Sequence, residues 1–453
     1  MHISIKLIPI LLLVLLCFGI NNAQIRFSES NSKAIQGIPE NTQLYRSIFR
    51  GYDTPIDIQM SGYVKTDAFW QTRQIVSLQE GNILLLPAEP IYDIYGIDEE
   101  AKGAYNIMPI ETMMRFDFFG PEMNCMKISG AIEASFWGQT VLSFGNETPN
   151  LTINMLVMEH AYFQLDWPTF TFLAGQTTHP LCHDVPDTIC YNTGMPITPF
   201  SYAPQLRFSY HAHKAELIFA MTSELNWESN GPFNFITQYI RNAIIPNLHA
   251  QARIKYNEHV ETDFGVDIKK LVPRIATEKN IAVDEHIWSG AAFADIKLDW
   301  NPYSLLLKTV WAQNGVDYDL TGGYAVASID PVTDFRTYTN FSTVSVYMDA
   351  KRSGKVEPGI YAGVIKNLGT SKPIIPSITV DDTTTSLVYD FAANTDTVWR
   401  ISPRLRYNIE PIVIGAEVEY TGTIWGDITP QGTIINRKPA HVVRFEFGFY
   451  FYF

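Results

Sequence analysis

Hydrophobic and polar positions alternate with a period of two over most of this chain. In the final segment, VVRFEFGFYFYF, Val443 and every second residue up to Phe453 are apolar, whereas Arg444 and Glu446 lie at the intervening positions. Successive side chains of an extended strand point to opposite faces. One face of this segment therefore suits hydrocarbon and the other suits water, which is typical of a membrane-spanning β-strand.

About sixteen such segments, of roughly 9–15 residues each and bounded by turn residues, follow one another along the chain. They begin with MSGYVKTDAFWQTRQ (60–74) and IETMMRFDFFG (110–120), and end with TVWRISPRLRYN (397–408), PIVIGAEVEYTG (411–422) and the terminal segment. The connections alternate between tight joins, such as WPT (167–169), and long ones of roughly 14–30 residues. We therefore predict an all-β fold: a transmembrane antiparallel up-and-down β-barrel of about sixteen strands, with short periplasmic turns and long external loops. A β-sandwich would not give this regular alternation of loop length.

The N-terminal residues carry an export pattern. A basic Lys6 precedes an apolar run from Leu7 to Ile20, and the small Ala23 follows at a plausible cleavage site. We predict a signal peptide at 1–23, a short periplasmic segment at 24–57 and the outer-membrane barrel at 58–453. Export and a barrel together predict the outer membrane of a Gram-negative bacterium as the location.

Composition agrees with a barrel and narrows the function. The chain is 13% aromatic and 18% charged, and its net charge of -14 argues against a nucleic-acid partner. A barrel needs only alternate residues to be apolar, which fits the mean hydropathy of -0.02. No Gly-x-Ser-x-Gly or comparable arrangement accompanies the histidines, so we predict no enzymatic activity and no cofactor.

Several stretches resemble the DcaP-like porins, which are trimeric channels of Gram-negative outer membranes. They are SGYVKTDAFW, HAYFQLDWPTFTFLAGQTTHPLCHDVPDTICYN, PQLRFSYH and RISPRLRYN, and the most specific is the series AGQT, PDT and PQLRF. The resemblance implies a homotrimer in outer-membrane lipid that lets small polar solutes, among them organic anions such as dicarboxylates, diffuse passively. A sixteen-stranded barrel is wide enough for an aqueous lumen unless something plugs it. The alternative is a structural or adhesive barrel with a closed lumen.

Placing the polar face of each strand inside puts a set of arginines on the lumen wall, and three of them share one strand. Guanidinium groups suit carboxylates, so such a ladder would favour anions. The other interpretation is that these charges pair across neighbouring strands and only solvate the lumen. The candidate pore-wall residues are Arg115, Arg207, Arg253, Arg400, Arg404, Arg406 and Arg444.

The connection Thr178–Ala203 is the natural candidate to fold inward as a constriction loop. Its chemistry-bearing residues are His179, Cys182, His183, Asp184, Asp187 and Cys190. Histidine and cysteine at short spacing can bind zinc, but we favour a disulfide between Cys182 and Cys190 in an oxidising compartment and predict no metal. The two aspartates would favour cations near the narrowest point.

The C-terminal Phe453 completes the prediction. Outer-membrane barrels commonly end on an aromatic residue that the barrel-assembly machinery recognises, and Phe453 looks like that residue. The terminal strand would close against the first strand, so that neither has a free edge.

Overall fold

The computed structural model describes residues 45–51, 54–142, 151–225, 227–380 and 382–453. The predicted signal peptide and most of the predicted periplasmic segment lie outside these residues, so both stay predictions. Among the helices of the described part, none is long and apolar enough to cross a membrane.

Strands account for most of the described chain. They are β1 (Tyr45–Gly51), β2 (Thr54–Gln71), β3 (Ile75–Leu78), β4 (Ile83–Pro87), β5 (Ala104–Met108), β6 (Met113–Phe119), β7 (Lys127–Leu142), β8 (Leu151–Asp166), β9 (Phe170–Thr178), β10 (Tyr202–His211), β11 (Ala215–Thr222), β12 (Asn247–Lys255), β13 (Val260–Leu271), β14 (Ile287–Trp300), β15 (Tyr303–Gln313), β16 (Gly322–Ile329), β17 (Arg336–Arg352), β18 (Val356–Thr370), β19 (Ser377–Val380), β20 (Thr383–Ser386), β21 (Val388–Phe391), β22 (Thr395–Ile409), β23 (Ile412–Ile428) and β24 (Ile434–Tyr452). Within the described residues, the α-helix α1 (Gln238–Asn242) and the 3-10 helices Gln79–Gly81, Pro180–Cys182 and Gly315–Tyr318 lie in the connections.

The strands close into a barrel of 16 antiparallel strands, as predicted. Each barrel strand pairs with the next along the chain, and β24 pairs with β2 to complete the ring. The remaining strands are outside the ring sequence: β1 folds back on β2, β5 extends the pairing of β6 with β2, and β3, β4, β16 and β19–β21 belong to the long connections. All sixteen predicted segments overlap a barrel strand.

The alternating pattern sorts side chains between the two faces of the barrel. In β24, Arg444 and Glu446 point inward and are at most 1% exposed, whereas Phe445 and Phe447 point outward and are 47% and 42% exposed. Phenylalanine on the outside of a barrel faces lipid rather than water, so this exposure is the expected arrangement for a membrane barrel.

Closure at the C-terminus depends on a glycine. Phe453 exchanges both backbone hydrogen bonds with Gly62 of β2, at 3.0 and 3.1 Å. A Cβ at Gly62 would lie 2.3 Å from the carbonyl oxygen of Met113 and 2.9 Å from Cζ of Phe453. The terminal ring therefore lies in a space that any larger residue at position 62 would occupy.

The lumen contains parts of three long connections. These inward segments are the hairpin 75–87, which holds β3 and β4, the loop 178–203 and the turn 314–321. Their apolar side chains, among them Ile83, Leu181, Ile197 and Leu320, form one buried cluster with inward residues of the wall such as Phe293. The barrel thus has a hydrophobic core inside its lumen.

Candidate functional site in the barrel lumen

The inward loop 178–203 is tied at its base before it crosses the lumen. The N–H of His179 donates to the carbonyl of Ser201 at 2.9 Å, which joins the two ends of the loop. Lys308 of β15 then donates to the carbonyls of Leu181 and His183, at 2.8 and 2.6 Å. The chain next follows the wall formed by β17, β18 and β22–β24.

Arg400 holds two inward segments at once. Its guanidinium donates to the carbonyl of Met195 in the loop at 2.7 Å, and to the carbonyls of Leu84 and Leu85 in the hairpin at 2.9 and 3.2 Å. Its Nε also lies 3.1 Å from the Glu419 carboxylate. With 1% of its surface exposed, Arg400 is fully enclosed by protein atoms.

Arg404 and Arg406 extend this arrangement toward the periplasmic end. Arg404 makes a two-pronged ion pair with Asp349 of β17, at 2.6 and 2.9 Å. Arg406 pairs with the Asp187 carboxylate of the loop at 2.6 Å and donates to the carbonyl of Thr188 at 2.9 Å. Both side chains are buried, at 5% and 7% exposure.

Arg444 completes the covered wall. It donates to the carbonyls of Gly81 and Asn82 in the hairpin, at 2.6 and 2.8 Å, and lies over the ring of Phe69 at 4.1 Å. Arg400, Arg406 and Arg444 are therefore direct anchors for the inward segments, and Arg404 acts through Asp349, which accepts a hydrogen bond from the N–H of Asp187 in the loop. The structure places the predicted ladder behind the loop, against protein atoms, rather than along open solvent.

The opposite wall, formed by β6 to β14, carries a second set of charged residues, of which Arg207 and Arg253 are partly exposed. Arg207 of β10 is half-buried and donates to Gln205 Oε1 and to the carbonyl of Thr178, at 2.9 and 2.8 Å. Within the described part of the chain, no carboxylate lies within ion-pair distance of Arg207. We call this surface, with Arg115, Arg207 and Arg253 as the arginines of its strands, the free wall.

Arg253 and Arg115 of the free wall are paired. Arg253 lies 3.2 Å from Glu216, 3.6 Å from Glu261 and 3.1 Å from Asp263. Arg115 pairs with Asp117 at 2.8 Å and with Glu133 at 3.0 Å. Cross-strand pairing therefore applies to these two arginines and does not apply to Arg207.

The two aspartates of the loop have different surroundings. Asp187 lies against the covered wall, where Lys351 also donates to it at 2.7 Å. Burial raises the pKa of Asp187, but Arg406 and Lys351 outweigh that effect and hold the pKa well below its usual range. Asp184 lies toward the free wall, 3.4 Å from Lys297 of β14 and 3.3 Å from His183.

The two cysteines of the loop are free thiols in the structure, so the predicted disulfide is not formed there. Cys182 lies in the 3-10 helix at the start of the loop. The thiol of Cys190 is 3.8 Å from Arg444 Nη1 and 3.9 Å from the carbonyl of Asn82. Burial raises the pKa of Cys182 and of Cys190, which disfavours the nucleophilic thiolate form of both.

Sequence reasoning missed the contribution of the hairpin 75–87, which falls in the long connection between the predicted segments 60–74 and 110–120. The apolar run ILLLP of β4 was the available signal, because four consecutive buried apolar residues are unusual in an exposed loop. It also missed Glu111, which follows β5 and receives hydrogen bonds from Lys65 and from Asn82. Through these contacts the hairpin is fixed to β2.

Comparison with solved structures identifies a similar fold. The outer membrane channel DcaP of Acinetobacter baumannii superposes with a TM-score of 0.62 at 16% identity, over 89% of this chain and 99% of that one. An anion-selective porin from Comamonas acidovorans gives a TM-score of 0.48 at 9% identity, over 88% and 100%. Neither a protein-family model nor a curated protein matches the sequence. The resemblance to DcaP-like porins is thus confirmed for the fold.

Proposed function

We propose that this protein is an outer-membrane porin through which small polar solutes, organic anions such as dicarboxylates among them, diffuse passively between the free wall and the loop 178–203. The observation that carries the proposal is the half-exposed Arg207, which faces the lumen of a closed barrel without a carboxylate partner among the described residues. An enzyme would need a nucleophile or base at such a site, whereas a channel needs only an accessible charge.

The charges near Arg207 favour an anion of small size. Arg253 shares its charge among three carboxylates, so Arg207 is the stronger attraction for a carboxylate that has lost part of its hydration. Asp184, on the facing loop, adds a negative charge that Lys297 offsets. The electric field between the loop 178–203 and the free wall would then select solutes by the position of their charged groups as well as by their size.

The proposal includes the cellular location and the oligomeric state of the protein. After removal of the signal peptide 1–23, the chain would reach the outer membrane of a Gram-negative bacterium, where the barrel-assembly machinery reads Phe453. The outward phenylalanines of β24 would contact lipid. A homotrimer is proposed from the resemblance to the DcaP-like porins, and the fold similarity to the DcaP channel supports it.

One observation favours a second candidate, a structural or adhesive barrel with a closed lumen. The buried apolar cluster joins the hairpin 75–87, the loop 178–203 and the wall across the interior. Such a core could plug the barrel completely. The two candidates differ in one measurable property, which is ionic conductance.

The test is a planar-bilayer recording of refolded protein whose barrel is verified by heat-modifiable gel mobility. For a porin, we expect stepwise openings and a reversal potential in a KCl gradient that indicates anion preference. Arg207→Gln should shift that potential toward cations, whereas Lys255→Gln, a change at an exposed lysine of the same barrel face, serves as the matched control. Silence from folded protein would replace the porin proposal with the closed barrel.

A further inference from the structure

A cluster of potential metal ligands lies at the base of the inward loop. His179 at the start of the loop, His249 of β12 and Asp267 of β13 bring their ligand atoms within 4.8 Å of one another. All three side chains are at most 4% exposed. The cluster is separate from the His-Cys spacing within the loop, because two of its members come from the barrel wall.

The carboxylate of Asp267 lacks a cationic lysine or arginine partner among the described residues. Its nearest ring nitrogens are His249 Nδ1 at 3.2 Å and His179 Nε2 at 3.5 Å, and Tyr318 donates to its other oxygen at 2.7 Å. The neighbouring Lys269 is already paired with Asp317. A buried carboxylate in this position needs a positive charge beside it.

The orientation of Gln251 shows where that positive charge belongs. Its amide Nε2 donates to Asp263, which turns its Oε1 toward His249 Nε2 at 3.0 Å. His249 therefore carries a proton on Nε2, and a neutral ring would then direct the lone pair of Nδ1 at the Asp267 carboxylate. Two acceptors at 3.2 Å require either a second proton or a metal ion between them.

We propose that His179, His249 and Asp267 bind a divalent transition-metal ion, with Zn²⁺ as the best match. Zinc holds nitrogen and oxygen ligands at about 2.0–2.2 Å, so neighbouring ligands of a tetrahedral site are roughly 3.3–3.5 Å apart. The two distances from Asp267, 3.2 and 3.5 Å, agree with this spacing. Gln251 acts as the outer partner that orients His249.

The remaining ligand position lies near Thr222. The hydroxyl of Thr222 is 3.2 Å from His179 Nε2, so it or a water molecule can complete a four-coordinate site. Binding has a cost at His179, because Leu181 N–H donates to its Nδ1 at 3.2 Å and a metal on Nε2 requires the ring proton on Nδ1. We therefore expect binding to be weakened by the loss of this hydrogen bond and to release protons. The ion would fasten the base of the loop to β12 and β13.

The test is titration of refolded full-length protein with Zn²⁺ by calorimetry after treatment with EDTA and dialysis. Co²⁺ in place of Zn²⁺ reports a four-coordinate site through its visible absorption. We expect one ion per chain, and affinity about tenfold or more lower in His249→Gln and in Asp267→Asn. His259→Gln, at an exposed histidine in the turn before β13, is the matched control and should bind as the wild type does.

Two results would overturn the metal site. The first is no saturable binding by folded wild-type protein, which would leave the cluster as a proton-sharing hydrogen-bond network. The second is equal affinity in the wild type and in both cluster variants, which would place the ion elsewhere on the chain. Circular dichroism identifies variants that fail to fold, and either cluster variant is sufficient for the comparison. The site is independent of the proposed transport, so failure of one leaves the other standing.

Discussion

Replacing Arg400 by methionine tests whether the arginine ladder anchors the inward segments. Methionine keeps much of the length and apolar stem of the side chain and removes the guanidinium. The change deprives Met195, Leu84 and Leu85 of a donor to their carbonyls and leaves Glu419 without its cation. Removal of one partner of a buried ion pair typically costs about 3–5 kcal/mol.

We expect that loss in the free energy of unfolding, measured by urea titration in lipid vesicles. Because Arg400 contacts both the loop 178–203 and the hairpin 75–87, both segments should loosen before the barrel unfolds. In bilayer recordings, the variant should show larger conductance and frequent transitions between levels. The reversal potential should change only as a consequence of the wider path, since the guanidinium is 1% exposed.

Arg207→Met provides the contrasting control. Its side chain faces the lumen without a carboxylate partner in the described residues and donates to the neutral acceptors Gln205 Oε1 and the carbonyl of Thr178, so its removal should cost much less stability than the removal of Arg400. A unit charge changes the energy of an ion about 4 Å away by about 1 kcal/mol in water, which is about fivefold in occupancy. Equal shifts of reversal potential in both variants, with quiet traces and no loss of stability in Arg400→Met, would refute the assignment of Arg400 as an anchor.

Three further predictions follow from the described contacts. Asp187→Asn should lower the unfolding temperature by a constant amount from pH 8 to pH 5, and the difference should narrow below about pH 4. The folded pKa of Asp187 is depressed, so its ionised form stabilises the fold fully above the unfolded pKa, and this stabilisation is lost as the pH falls toward the folded pKa; a difference that vanishes already at pH 6 would contradict this. Gly62→Val should slow barrel closure by several-fold in refolding followed by gel mobility, since its Cβ would meet Phe453; closure at the wild-type rate would show that the strand pair adapts. Dithiothreitol should leave mobility and conductance unchanged, because Cys182 and Cys190 are free; a reducing-agent effect on the monomer would restore the predicted disulfide.

The fold could be predicted from the sequence because a membrane barrel is specified locally. Strand β24 places Phe445 and Phe447 on the outer face and Arg444 and Glu446 on the inner face. The alternation of apolar and polar residues with a period of two therefore appears directly in the sequence. Tight turns and long loops alternate because an up-and-down barrel has short turns at one end and longer loops at the other. Strand number and the two faces therefore followed from pattern alone, and the 16 strands confirm it.

The candidate site was only half predictable. The sequence determined that Arg207 and Arg400 both point into the lumen, because parity alone decides the face. It could not show that Arg400 donates to the carbonyls of Met195 and Leu84 and is buried, while Arg207 stays partly exposed. That difference depends on where two long connections pack inside the barrel. Such packing is a sum of long-range contacts between residues far apart in the chain, and only the tertiary structure decides which wall is covered and which is free.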